Sequence, residues 1–207
     1  MTAAEQVACD EALKRIGDCV RRRGTALDLS QLKLRRLPPK ILQLAKLTEL
    51  DLSHNLFETL PPELAQFPDL ARLDLSNNPL ETLPPEIGEL AGLTRLDLNH
   101  TPLSVLPPEI GKLTRLTRLY LTHNRLIALP PEVDGLANLT RLYLSDNALT
   151  TFPPEFSSLT KLTRLDLSRN RLGTLPPEIG QLINLTVLDL SHNPLGSSRR
   201  KPANSPN

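Results

Sequence analysis

The sequence predicts an α/β solenoid: a curved parallel sheet on the concave side, proline loops and short turns on the convex side, and an N-terminal capping helix. Three observations predict it. The segment 162–184, LTRLDLSRNRLGTLPPEIGQLIN, repeats its framework every 23 residues from Leu47, Leu70, Leu93, Leu116 and Leu139, and in a shortened form from Leu185. Apolar residues recur at positions 1, 4, 6, 11, 14, 18 and 21 of that unit, Asn usually falls at position 9, and Pro-Pro always falls at positions 15 and 16. A fixed period of this length is the mark of a stacked repeat, in which each unit buries its apolar face on its neighbours.

Positions 3 to 7 alternate polar and apolar, as in Arg164, Leu165, Asp166, Leu167 and Ser168, the period of a strand with one buried face. One such strand cannot bury its leucines alone. Stacked in parallel, eight of them at ~4.8 Å spacing give an arc roughly 35 to 40 Å long. The Asn at position 9 (Asn55, Asn78, Asn124, Asn147, Asn170, Asn193) follows the strand, where turning backbone needs partners that a short amide can provide, and predicts an internal hydrogen-bond ladder. Fourteen of the 20 prolines sit in the Pro-Pro pairs from 38–39 to 176–177, and they exclude a strand or long helix on the return side. The E-I-G-x-L that follows drops Ile and Leu into the core over a turn that glycine eases.

The motif LxxLxLxxNxLxxLPPEIGxL resembles the typical leucine-rich repeat over residues 24 to 195. Within that family the LPxxIxxL units are similar to the repeat domains of Roco-type GTPases, plant Ras-group-related repeat proteins and Ras-pathway scaffolds. The resemblance implies a horseshoe-shaped protein-binding module with no chemistry, cofactor or metal of its own, acting in signalling, with a small GTPase or kinase as a partner class.

Composition limits the remaining classes. With 24 basic and 23 acidic residues the net charge is +1, too balanced for sequence-independent nucleic-acid binding. No stretch approaches the ~18 apolar residues of a membrane span, and MTAAEQVACDEALKR lacks a signal-peptide core, so no membrane association and a cytoplasmic location are expected. Cys9 and Cys19 lie ten residues apart in a predicted helix, ~15 Å from each other and too far for a disulfide. The sequons at Asn138 and Asn184 read as accidents of the repeat.

Residues 1–23 form the expected cap: an amphipathic helix over 3–23 with Val7, Ala8, Ala12, Ile16, Cys19 and Val20 near one face, a capping box from Thr2 to Glu5, and Arg21 to Arg23 at its last turn. Residues 24–195 form eight coils, the first degenerate with Leu32 at the Asn position. In the fourth, Thr101 replaces the Asn and predicts a weak point. Residues 196–207 read as a disordered tail. The half coil ending at Leu195 leaves Leu185, Leu188 and Leu190 without a roof, an uncapped C-terminal edge suited to self-association.

The inner surface follows from the period alone. Position 3 runs Ala26, Glu49, Arg72, Arg95, Arg118, Arg141, Arg164, Val187, and position 5 runs Asp28, Asp51, Asp74, Asp97, Tyr120, Tyr143, Asp166, Asp189. Arg72, Arg95 and Arg164 each have an Asp two residues on to neutralise them. Arg118 and Arg141 have Tyr120 and Tyr143 instead, the composition of an interface hot spot. The predicted binding face is therefore Arg72, Arg95, Arg118, Tyr120, His123, Arg141, Tyr143 and Arg164. All four histidines (His54, His100, His123, His192) occupy position 8, read as a polar rim; His100, His123 and Asp146 make an unconvincing metal set beside so many arginines. Glu63, Glu86, Glu109, Glu132, Glu155 and Glu178 at position 17 form a solvated stripe. The function expected is a non-catalytic protein-interaction scaffold. The alternative is a regulatory repeat fragment of a Roco-type GTPase, since the chain holds no G-x-x-x-x-G-K-[ST] loop.

Overall fold

The computed structural model describes residues 3–175 and 177–196. Thr2 of the capping box, Pro176, the side chain of Glu178 and the predicted tail beyond Gly196 lie outside the described residues.

Helix α1 (Ala3–Arg22) packs on the first coil through Ala8, Ala12, Ile16 and Cys19, all buried. Val7 and Val20, expected on that face, are 69% and 36% exposed. The helix turns ~100° per residue, so a neighbour of the buried stripe points largely away from it. Cys19 sits with its Sγ 3.5 Å from the Gly24 and Ala26 carbonyls, burial pushes its thiol pKa up, and both cysteines are free.

The strands are β1 (Ala26–Asp28), β2 (Glu49–Asp51), β3 (Arg72–Asp74), β4 (Arg95–Asp97), β5 (Arg118–Tyr120), β6 (Arg141–Tyr143), β7 (Arg164–Asp166) and β8 (Val187–Asp189). They pair in sequence order, all parallel, each shifted by one repeat so that Leu27, Leu50, Leu73 and Leu96 and their successors lie side by side. Strands are only three residues long, yet the ladder continues past them: Leu98 N–H bonds the Tyr120 carbonyl at 2.9 Å and Leu121 N–H the Tyr143 carbonyl at 2.8 Å. The leucines at positions 4 and 6 are buried through the seventh coil, with Ile41, Ile87 and Ile110 facing them from the convex side.

On that convex side the second proline of each pair opens a five-residue 3₁₀ helix, from Pro39–Gln43 to Pro177–Gln181. Pro suits a first helical position, where the N–H would be unpaired anyway. In the middle coils glycine is required by close approach rather than by turning: a Cβ on Gly111 would stand 2.1 Å from the Glu132 carbonyl oxygen, and one on Gly135 2.2 Å from that of Gly111.

Two ladders lock the coils together. Asn55 Nδ2 donates to the Leu52 carbonyl of its own coil (3.0 Å) and to Leu29 of the preceding one (2.8 Å), while its Oδ1 accepts from Leu34 N–H (2.9 Å). The same set recurs from Asn78 to Asn193. Thr101 interrupts it. Its hydroxyl lies 3.0 Å from the Leu98 carbonyl and 2.6 Å from Asn124 Oδ1, but among the described residues nothing replaces the bond that an Asn would accept from Leu80 N–H. The second ladder, unread in the sequence, runs through position 2: Thr117, Thr140 and Thr163 each donate to the backbone carbonyl of the preceding threonine of the ladder.

Candidate functional site

Because the strands stack in register, the position 3 and 5 side chains meet their counterparts across the sheet as well as along the strand. Adjacent parallel strands lie ~4.8 Å apart, whereas same-face residues on one strand lie ~6.6 Å apart. The cross-strand partner is therefore the nearer one. Arg72 accordingly pairs with Glu49 of the preceding coil at 3.0 Å and not with Asp74 as the sequence suggested. Arg95 does reach Asp97, at 3.5 Å. Arg164 forms no ion pair with Asp166 among the described residues, and its guanidinium lies 5.8 Å from the centre of the Tyr143 ring instead.

The position 5 carboxylates have a second, structural task. Asp28, Asp51, Asp74, Asp97, Asp166 and Asp189 each accept the backbone N–H two residues on, at 2.8 to 3.1 Å, shaping the turn out of the strand. Tyr120 and Tyr143 cannot do this. At Tyr120 a substitute is visible: Thr122 N–H bonds Asn99 Oδ1 of the preceding coil at 2.7 Å. The two tyrosines thus displace a residue that the fold uses elsewhere.

Their rings are nearly parallel (3°) with centroids 4.9 Å apart. Arg95 covers Tyr120 at 4.7 Å on one side of the pair, as Arg164 covers Tyr143 on the other. A guanidinium over a ring face is attracted by the ring quadrupole. The stack is thereby closed at both ends, and only ring edges and hydroxyls remain for a ligand. Arg118 and Arg141 are exposed, and their side chains make no ion pair or hydrogen bond among the described residues.

Asp97, in register beside Tyr120, is the one buried acid of this face among the described residues, its side chain 9% exposed. Burial raises its pKa to about 6, helped by the like charge of Asp74, against the N–H of Asn99 and the charge of Arg95.

The histidine column has a backbone cause. Every residue at position 8 from His54 to His192 has φ between 53° and 59°, the left-handed region that Asn, Asp and His tolerate best. Sequence reasoning missed this, although the run His, Asn, His, His, Asp, Arg, His was its signal. His100 stacks on His123 at 4.4 Å, and His123 Nδ1 lies 3.5 Å from Asp146 Oδ2, which also faces Arg169 Nε at 3.9 Å. Burial, then the charge of His123, lowers the His100 pKa. Among the described residues no group of His, Cys, Asp and Glu has the arrangement of a metal site. His123 stands on the rim, a short step from Tyr120 along its own coil.

A trough of 390 Å³ lies over the first four strands, lined by Asp28, Glu49, Asp51, Arg72 and Asp74. Glu49 pairs with Arg72 within it and Arg15 of α1 reaches Asp28 at 3.5 Å, while Asp51 and Asp74 make no ion pair among the described residues. The tyrosine patch holds Arg118 and Arg141, which make no ion pair among the described residues.

A parallel strand per coil, a 3₁₀ return and an Asn ladder define a leucine-rich repeat solenoid. The leucine rich repeat profile matches residues 25–80, 68–126, 91–149, 114–172 and 137–195, and the chain belongs to that family. No curated protein matches the sequence. Among solved structures, a leucine-rich repeat protein of Leptospira interrogans is 40% identical with a TM-score of 0.81, covering 86% of this chain and 46% of its own. An internalin of Listeria monocytogenes, at 21% identity and a TM-score of 0.68 over 85% of this chain and 57% of its own, shares the fold. The chain spans about half the length of these proteins.

Proposed function

We propose that the chain is a non-enzymatic interaction module that holds a protein partner against β5 and β6, centred on Arg118, Tyr120, Arg141 and Tyr143. The observation that carries this reading is the displacement of the turn-shaping Asp in two adjacent coils by a stacked tyrosine pair beside two unpaired arginines. Tyr and Arg are enriched among interface hot spots, and here two half-buried tyrosines stand beside two exposed arginines. Arg72, Arg95, Arg164 and His123 border the patch, Arg95 and Arg164 by fixing the rings.

The test is crosslinked capture from native lysate with the wild-type chain and with Tyr120→Ala/Tyr143→Ala. Partners held at this patch should lose ~2 kcal/mol or more of binding in the double variant while its melting curve stays unchanged. Equal capture by both proteins removes the reading. The resemblance to Ras-pathway repeat proteins makes a small GTPase or kinase the first class to examine, and two free cysteines fit a reducing, cytoplasmic setting. The Roco-type alternative is tested by the coding sequence downstream of residue 207.

A second reading concerns β8, where Val187 and Leu188 are 40% and 39% exposed and Ile183 82%. An apolar strand edge recruits another strand, so a second copy of the chain or a further domain would cover it. Light scattering across a concentration series tests the second copy, and a strict monomer at high micromolar concentration removes it.

A further inference from the structure

Resting on the reading above that the central coils hold a protein, we infer that the bound segment is acidic: an extended stretch of Asp and Glu residues crossing β5 and β6. Four observations lead there. Arg118 and Arg141 are the exposed strand arginines with no acid, hydroxyl or ring to engage them among the described residues, unlike Arg72, Arg95 and Arg164. No carboxylate stands between them on the face, because Tyr120 and Tyr143 occupy position 5 in both coils. The nearest acids of position 5 are engaged: Asp97 with Arg95 and the Asn99 N–H, Asp166 with Ser168 through both its N–H and its hydroxyl. The tyrosine hydroxyls at the open side of the stack can each donate one hydrogen bond, which suits an acceptor-rich ligand.

The geometry also selects among anions. A single-stranded nucleic acid adds base stacking on aromatic faces to its phosphate contacts, and here both outward faces of the tyrosine pair are covered by Arg95 and Arg164, which removes that stacking share. An extended peptide needs no such face. It repeats same-side groups every ~6.6 Å, and two flexible guanidinium stems rooted on neighbouring strands span that repeat. The trough over the first strands, whose Asp51 and Asp74 have no ion-pair partner among the described residues, would repel the continuation of such a segment, which therefore runs toward β7, where the exposed Arg164 follows.

The probe is a fluorescein-labelled octaglutamate, titrated by anisotropy in 50 mM salt against the full chain. Expected is saturable binding, weakened at least tenfold by Arg118→Gln/Arg141→Gln and less than twofold by Arg115→Gln/Arg171→Gln, which removes the same charge from exposed positions off this face. Labelled octathymidylate should bind at least tenfold more weakly than the peptide. Absence of saturable peptide binding, equal losses in the two arginine variants, or tighter binding of the oligonucleotide each overturns the inference. If the peptide fails while lysate capture still depends on Tyr120 and Tyr143, the acidic assignment falls alone and the scaffold reading stands.

Discussion

The second and third coils and the fifth and sixth coils stand on the same leucine column in the same register, but they finish the concave face differently. In the former pair Glu49 and Arg72 close on each other across the strands, and Asp51 and Asp74 shape their turns. In the latter, tyrosines replace both aspartates, stack, and leave Arg118 and Arg141 without an ion pair among the described residues. In the first region the cation is paired within the surface. The second gives up a turn-shaping carboxylate in each coil to display an aromatic pair and two cations. A repeat protein can make this exchange because the stacking interface, and not the face, supplies its stability.

The largest test of that separation is in the core. Leu50→Ala and Leu142→Ala, both buried at 3% exposure, should each cost ~2 to 5 kcal/mol and by similar amounts, measured by chemical denaturation. A cost at Leu142 well below that at Leu50 would mean that the central coils are held by their face after all.

Asp97 lies at the border of the two regions. Its native pKa of about 6 is above the unfolded value of 3.8, so the folded chain holds the extra proton between these limits, and stability falls as pH rises through that window. Asp97→Asn should therefore stabilise the protein by up to ~3 kcal/mol at pH 7.5 and by almost nothing at pH 3.5. Thermal melts at the two pH values show it, and a uniform shift would assign the burden to something other than the charge.

The convex side distinguishes central from terminal coils too. Gly135→Ala should destabilise by ~1 to 3 kcal/mol, since its Cβ would meet the Gly111 carbonyl, whereas Gly180→Ala, with open space around it, should change the melting temperature little. Similar melting temperatures for the two variants would contradict the close approach of the central 3₁₀ helices.

The smallest expected effect sharpens the electrostatic contrast. Glu49→Gln should shift stability by less than ~0.5 kcal/mol, as exposed ion pairs do. It frees Arg72 and so should strengthen octaglutamate binding modestly in the anisotropy assay, extending the cationic surface toward the first coils. No gain in affinity would show that Arg72 is screened by more than its partner.

The sequence by itself determined the solenoid, the number and order of strands, the Asn ladder and the roster of concave side chains, because a period of 23 with fixed leucines leaves one way to bury them. It also showed that Tyr120 and Tyr143 break the Asp column. What only the tertiary structure decided was which neighbours those side chains choose. Arg72 takes Glu49 rather than Asp74, since the adjacent strand is nearer than the next residue on the same strand face, and Arg164 lies over the Tyr143 ring of the preceding coil rather than beside Asp166. The left-handed backbone behind the histidines, and the crowding that demands glycine at 111 and 135, were likewise settled by how one coil rests on the next.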